Sequence, residues 1–61
     1  MDYRVEVWYM PMSNPPRFAD EMFTARVIET QGPWLYLAHS DFEAYLPAAN
    51  IGKIVVTEEE A

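Results

Sequence analysis

The chain has no cysteine, which removes disulfides and every thiolate metal site. Its one histidine, His39, is too few for a structural zinc. Only Arg4, Arg17, Arg26 and Lys53 are basic, and they are scattered along the chain. Binding to a phosphate backbone calls for clustered Lys and Arg, so direct contact with nucleic acid is disfavoured. No apolar run approaches the length of a membrane span. Asp2, Arg4 and Glu6 interrupt the apolar positions of residues 1–12, so no signal-peptide core is expected there. The absence of thiols fits a reducing compartment, and the expected setting is cytoplasmic, with no membrane and no cofactor.

What is present is apolar mass. A length of 61 residues allows a single domain, near the lower limit for folding alone. Without metal or disulfide, such a domain must rely on a dense core or a partner. Hydrophobic residues make up 51% of the chain and aromatic ones 15%. Large rings bury much area per residue ordered, which suits a tiny core and equally suits an interface. The net charge is −6, and three of the ten acids are Glu58, Glu59 and Glu60. Residues 1–57 are expected to form the domain, with 58–61 a frayed acidic tail in which adjacent like charges repel.

Alternation with period two runs through most of the sequence and predicts an all-β chain. In residues 3–10, Tyr3, Val5, Val7 and Tyr9 point one way, while Arg4, Glu6, Trp8 and Met10 point the other. Pro11, Pro15 and Pro16 mark residues 11–20 as a loop, with Phe18 expected to pin it to the core. Residues 21–30 read as a second strand, with Phe23, Ala25 and Val27 on one face; a helix is the competing reading. Gln31-Gly32-Pro33 supplies a turn into a third strand over 34–38, completing a hairpin. A polar turn at His39-Ser40-Asp41 precedes a fourth strand over 42–46, which Pro47 stops. Ala48-Ala49-Asn50 permits one 3₁₀ turn before a last strand over 54–57. Five short antiparallel strands must curl to bury one face and hide their edges, which predicts a small barrel.

The stretch Trp34-Leu-Tyr-Leu-Ala38, followed by Tyr45-Leu46-Pro47-Ala-Ala-Asn50-Ile51-Gly-Lys-Ile54, resembles the closing half of an SH3-like barrel. The resemblance covers residues 22–57. It implies a five-stranded antiparallel barrel whose central hairpin runs into a short 3₁₀ turn before the last strand. Sm-like barrels have a similar final turn, but their basic RNA-contacting residues have no counterpart here. Peptide-binding SH3 domains carry paired tryptophans, whereas Trp34 is followed by Leu35, so no ligand residues are carried over.

The chemical candidates are few. His39 and Asp41 flank Ser40, yet a local triplet in a turn does not place side chains as a catalytic triad does. It is read instead as a turn with Asx-type hydrogen bonds. Neither catalytic nor metal-binding residues are assigned, and the chain is expected not to be an enzyme. Met10-Pro11-Met12 and Asn14-Pro15-Pro16 are segments able to dock an aromatic groove in the polyproline conformation. The plainer reading is a loop stiffened by proline.

If Tyr3, Val5, Val7, Phe23, Ala25, Val27, Leu35, Leu37, Phe42, Leu46, Ile51, Ile54 and Val56 fill the core, several large residues are left outside it. These are Trp8, Met10, Met22, Ile28, Trp34, Tyr36 and Tyr45. Trp, Tyr and Met are enriched at interfaces, with Arg as a frequent neighbour. The expected partner-binding set is therefore Trp8, Trp34, Tyr36, Met10 and Tyr45, flanked by Arg4 and Arg26. This predicts a small acidic binding or regulatory protein that engages a protein partner, or itself as a homodimer, through an aromatic strand face. The alternative is a nucleic-acid-related role. It would use base stacking on the aromatic face, or mimicry of DNA by an acidic stripe of Asp20, Glu21, Asp41 and Glu43.

Overall fold

The computed structural model describes residues 1–12 and 17–59. The elements run β1 (Asp2–Tyr9), β2 (Glu21–Ala25), β3 (Val27–Gln31), β4 (Trp34–His39), β5 (Phe42–Pro47), a 3₁₀ turn (Ala48–Asn50) and β6 (Ile51–Glu59). All strand pairing is antiparallel, in two three-stranded sheets ordered β2-β1-β6 and β3-β4-β5. The chain is therefore all-β, as alternation predicts, and no α-helix replaces strand over 21–30.

The sheets meet through the faces that alternation assigns to the interior. Val5 and Val7 of β1, Ala25 of β2, and Leu35 and Leu37 of β4 form the buried centre. Tyr3, Tyr9, Phe23, Ile28, Phe42, Ala44, Leu46 and Ile51 pack around it. Turn chemistry sets the hairpins. Gly32 sits at φ +59 at the first of the two turn positions between β3 and β4, the arrangement of a type II′ turn. Ser40 and Asp41 make the two-residue turn between β4 and β5. The 3₁₀ turn is tied to both sheets: Ala48 N–H donates to the Pro33 carbonyl at 2.9 Å, and Met10 N–H donates to the Asn50 carbonyl at 2.8 Å.

The expected strand over 21–30 is two strands, so the sheets hold six strands where five were expected. The break falls at Arg26. Ala25 faces the interior opposite Tyr3, and Ile28 faces it opposite Leu37, so the inward phase changes parity across one residue. Arg26 N–H still donates to the Ala38 carbonyl at 2.7 Å, which keeps the bend joined to β4. This explains two corrections to the expected core. Val27 is exposed on the outer face, and Ile28, expected outside, packs inward.

Three further expectations are corrected. Ile54 and Val56 do lie on the inward side of β6, opposite Val7 and Val5, yet both are exposed. Phe18 does not pin the loop and is 85% exposed. The loop is instead held by Asp20, whose N–H donates to the Val7 carbonyl at 2.9 Å and whose carboxylate accepts the Tyr9 N–H at 2.7 Å. The last strand starts at Ile51 and continues through Glu59, so Glu58 and Glu59 pair with Tyr3 and Asp2. The expected Asn14-Pro15-Pro16 docking segment, and Glu60 with Ala61, lie outside the described residues.

Candidate functional site

The outer face of β3-β4-β5 is built by register. Trp34, Tyr36 and Ala38 of β4 sit opposite Gln31, Glu29 and Val27 of β3 and opposite Pro47, Tyr45 and Glu43 of β5. Trp34 is 44% exposed and Tyr45 53%, and Val27 is open on the same face beside Ala38. The Tyr36 and Tyr45 rings lie 5.0 Å apart at a 48° tilt, within the favourable range for aromatic pairs. Tyr36 O–H donates to Glu43 Oε2 at 3.1 Å. Burial of its hydroxyl, with that carboxylate and Glu29 adding to the effect, pushes the Tyr36 pKa up and keeps the phenol neutral. Apolar rings thus share one flat surface with two carboxylates.

The expected partner-binding set divides between the two sheets. Trp34, Tyr36 and Tyr45 come together. Trp8 does not join them, because β1 belongs to the other sheet, whose outer face is turned away. Trp8 is only 8% exposed and lies outside the central core cluster. The Lys53 ammonium, on the neighbouring strand in register, sits 4.9 Å from its ring centroid, in cation–π range. Among the described residues its Nε1 has no hydrogen-bond partner. Met10 is exposed but sits at the end of β1, where it and Met12 lie against Gly52. A Cβ built on Gly52 would meet Met12 Sδ at 2.5 Å and Met10 Sδ at 2.9 Å.

Arg4 shares the outer face of β1 with Trp8 and lies 4.0 Å from Glu6. Arg26 occupies the bend, 3.5 Å from Asp2. Neither arginine flanks Trp34. The outward residues of all strands do not make one surface, because two sheets packed face to face have two outer faces. The face also holds Glu29 and Pro47, which were assigned no role, Glu43, expected in an acidic stripe, and Val27, expected in the core. Register alone would have found Glu43 and Pro47, since pairing across the Ser40-Asp41 turn places them beside Ala38 and Trp34.

A second polar cluster gathers at the β4–β5 turn. His39 Nε2 lies 3.3 Å from Asp2 Oδ2, and His39 Nδ1 lies 3.1 Å from Ser40 Oγ and 3.8 Å from Asp41 Oδ1. The hydrogen bond from His39, with Arg26 adding its charge, holds the Asp2 carboxyl below the usual carboxylate range against a smaller opposing effect of burial. The contacts join the start of β1 to the end of β4. An apolar groove lies elsewhere, about 500 Å³ in volume and lined by Thr30, Leu35, Ala48, Ile51 and Ile54 among others. Among the described residues no three His, Asp or Glu side chains converge to hold a metal ion. The acids of the expected stripe are spread over both sheets, with Asp20 occupied at the loop and Glu43 on the aromatic face. No helix among the described residues is long and apolar enough to cross a membrane.

No family model, curated protein or solved structure matches this chain.

Proposed function

We propose that this is a non-enzymatic binding protein of SH3-like barrel type, which engages a protein partner through the outer face of β3-β4-β5. The barrel reading rests on the strand pairing. The segment over 21–31 bends once and contributes to both sheets, and a 3₁₀ turn precedes the last strand. The functional reading rests on one observation: Trp34, Tyr36 and Tyr45 share a face that the chain's own interior does not use. Rigid aromatic side chains make good anchors because they offer large area at little conformational cost.

Charge narrows the partner. Glu29 and Glu43 flank Tyr36 on the same face, and the whole chain is acidic. A segment carrying Arg or Lys beside apolar residues satisfies both elements, because a cation gains from the ring faces and from the carboxylates. Phosphate-bearing ligands meet repulsion at the same place, which disfavours base stacking. Affinity capture from the native host tests the reading. Trp34→Ala and Tyr45→Ala should each lose a partner that the wild type and a Met22→Ala control retain, with thermal melts unchanged. Equal recovery by all four proteins would sink it.

A further inference from the structure

β6 is the longest strand, and among the described residues nothing pairs with one of its edges. Its ladder partner is β1 alone, and apart from the Ile51 N–H, which donates to the Ala48 carbonyl, no other backbone hydrogen bond among the described residues leaves the strand between Ile51 and Glu59. A free edge presents a row of unpaired N–H and C=O groups, which proteins usually guard with charge, proline or short length. The other strands carry such guards: Glu21 in β2, Glu29 in the middle of β3, and Glu43 with Pro47 in β5. In β6 the guards stand only at the ends. Met10 and Met12 cover Gly52, Lys53 follows, and Glu58 and Glu59 close the strand. Between them, Ile54-Val55-Val56-Thr57 is an uncharged β-branched run. Its inward residues Ile54 and Val56 are left open, Val56 to 46%, and Ile54 lines the apolar groove.

We infer that this edge pairs with the same edge of a second copy, β6 against β6 in antiparallel sense, to give a two-fold dimer with one continuous six-stranded sheet. Three features of the strand select this occupant. First, the charge is polarised along β6, basic at Lys53 and acidic at Glu58-Glu59. Antiparallel pairing brings the basic end of each copy to the acidic end of the other, whereas parallel pairing stacks like charges. Second, facing parity restricts the register. A slip of one residue would oppose inward to outward side chains, so only pairs of equal parity are allowed. Third, among those registers the one centred on Val55 pairs Ile54 with Val56 of the second copy, twice. Val55 then meets Val55 and Lys53 meets Thr57, with Glu59 on the diagonal within reach of a long side chain. A shift of two residues toward the C-terminus opposes Ile54 to Glu58, and one toward the N-terminus leaves Val56 opposite Gly52 and Lys53 opposite Val55. The joint is isologous and closes, so it ends at two copies rather than growing a filament. It leaves the aromatic face of β3-β4-β5 untouched.

Sedimentation equilibrium of the full chain from roughly 10 μM to 1 mM should show a monomer–dimer equilibrium. Hydrogen exchange at residues 54–57 should slow as concentration rises. Val55→Lys faces Glu6 within its own chain, so the fold should survive, as a far-ultraviolet circular dichroism melt will show. In the dimer the two substituted side chains meet on the axis, and association should weaken about tenfold or more. Lys53→Glu should also weaken the dimer, and the double variant Lys53→Glu/Glu59→Lys should restore it. Trp34→Ala should leave it unchanged, which separates this edge from the proposed partner face. A wild-type chain that stays monomeric over the whole range would overturn the proposal. So would a dimer lost with Trp34→Ala, or one that the double variant fails to restore.

Discussion

Trp8 and Trp34 are the same side chain in two different solvents, and their substitution should separate stability from binding. Trp8 is buried, with the Lys53 ammonium over its ring. Trp8→Ala removes a buried ring and should cost about 3–5 kcal/mol in urea unfolding, enough to leave so small a domain largely unfolded. Trp8→Phe keeps most of the apolar volume and discards an indole N–H that has no partner among the described residues. Its cost should stay below about 1.5 kcal/mol. A larger loss for Trp8→Phe than for Trp8→Ala would contradict the placement of this ring. Alternation along β1 does put Trp8 outside the central core, and that much was readable from its neighbours. Its enclosure was not, because Lys53 is 45 positions away in the chain and meets Trp8 only through the β1–β6 register.

At the scale of elements, period two identified nearly every strand, because each has one wet and one dry side over most of its length. The hairpin at Gly32-Pro33 and the 3₁₀ turn over 48–50 were legible for a second reason, since glycine and proline restrict the backbone at fixed places. The corner at Arg26 was not legible. Phe23, Ala25 and Val27 satisfy alternation so well that an uninterrupted strand is the natural reading, and only the pairing partners on either side show the change of phase. The candidate site was half legible for the same reason: the outward residues of β4 and β5 were sorted correctly, those of β3 were not, and which strands share a sheet is a long-range fact. The corner makes a sharp prediction. Arg26→Ala removes an exposed ion pair with Asp2 and should cost less than about 1 kcal/mol. Arg26→Pro deletes the N–H that meets the Ala38 carbonyl and should cost roughly 1–3 kcal/mol, from the unsatisfied acceptor alone. Equal midpoints for the two variants in chemical denaturation would show that the hydrogen bond does not hold the bend.

For the molecule as a whole, the fully enclosed interior is thin, essentially Val5, Val7, Ala25, Leu35 and Leu37. Contacts that close its ends therefore carry unusual weight in a domain of this size. Asp2 is one such contact, joined to His39 and Arg26 across the two sheets. Its carboxyl titrates lower in the folded chain than in the unfolded one. The stabilisation it gives is thus present above the unfolded value and lost as pH falls through the folded one. Asp2→Asn should lower the thermal midpoint at neutral pH, and the difference from wild type should shrink as the solution is acidified below the usual carboxylate range. A gap that persists unchanged in acid would mean that Asp2 acts by something other than its charge. The single residue at the corner also decides how many layers the molecule has. Remove Arg26 outright, and residues 25 and 27 become neighbours with their facing already correct, so nothing forces the ribbon to turn. The two halves could then lie side by side as one flat sheet, greasy along an entire side, and such a chain should leave solution as an aggregate.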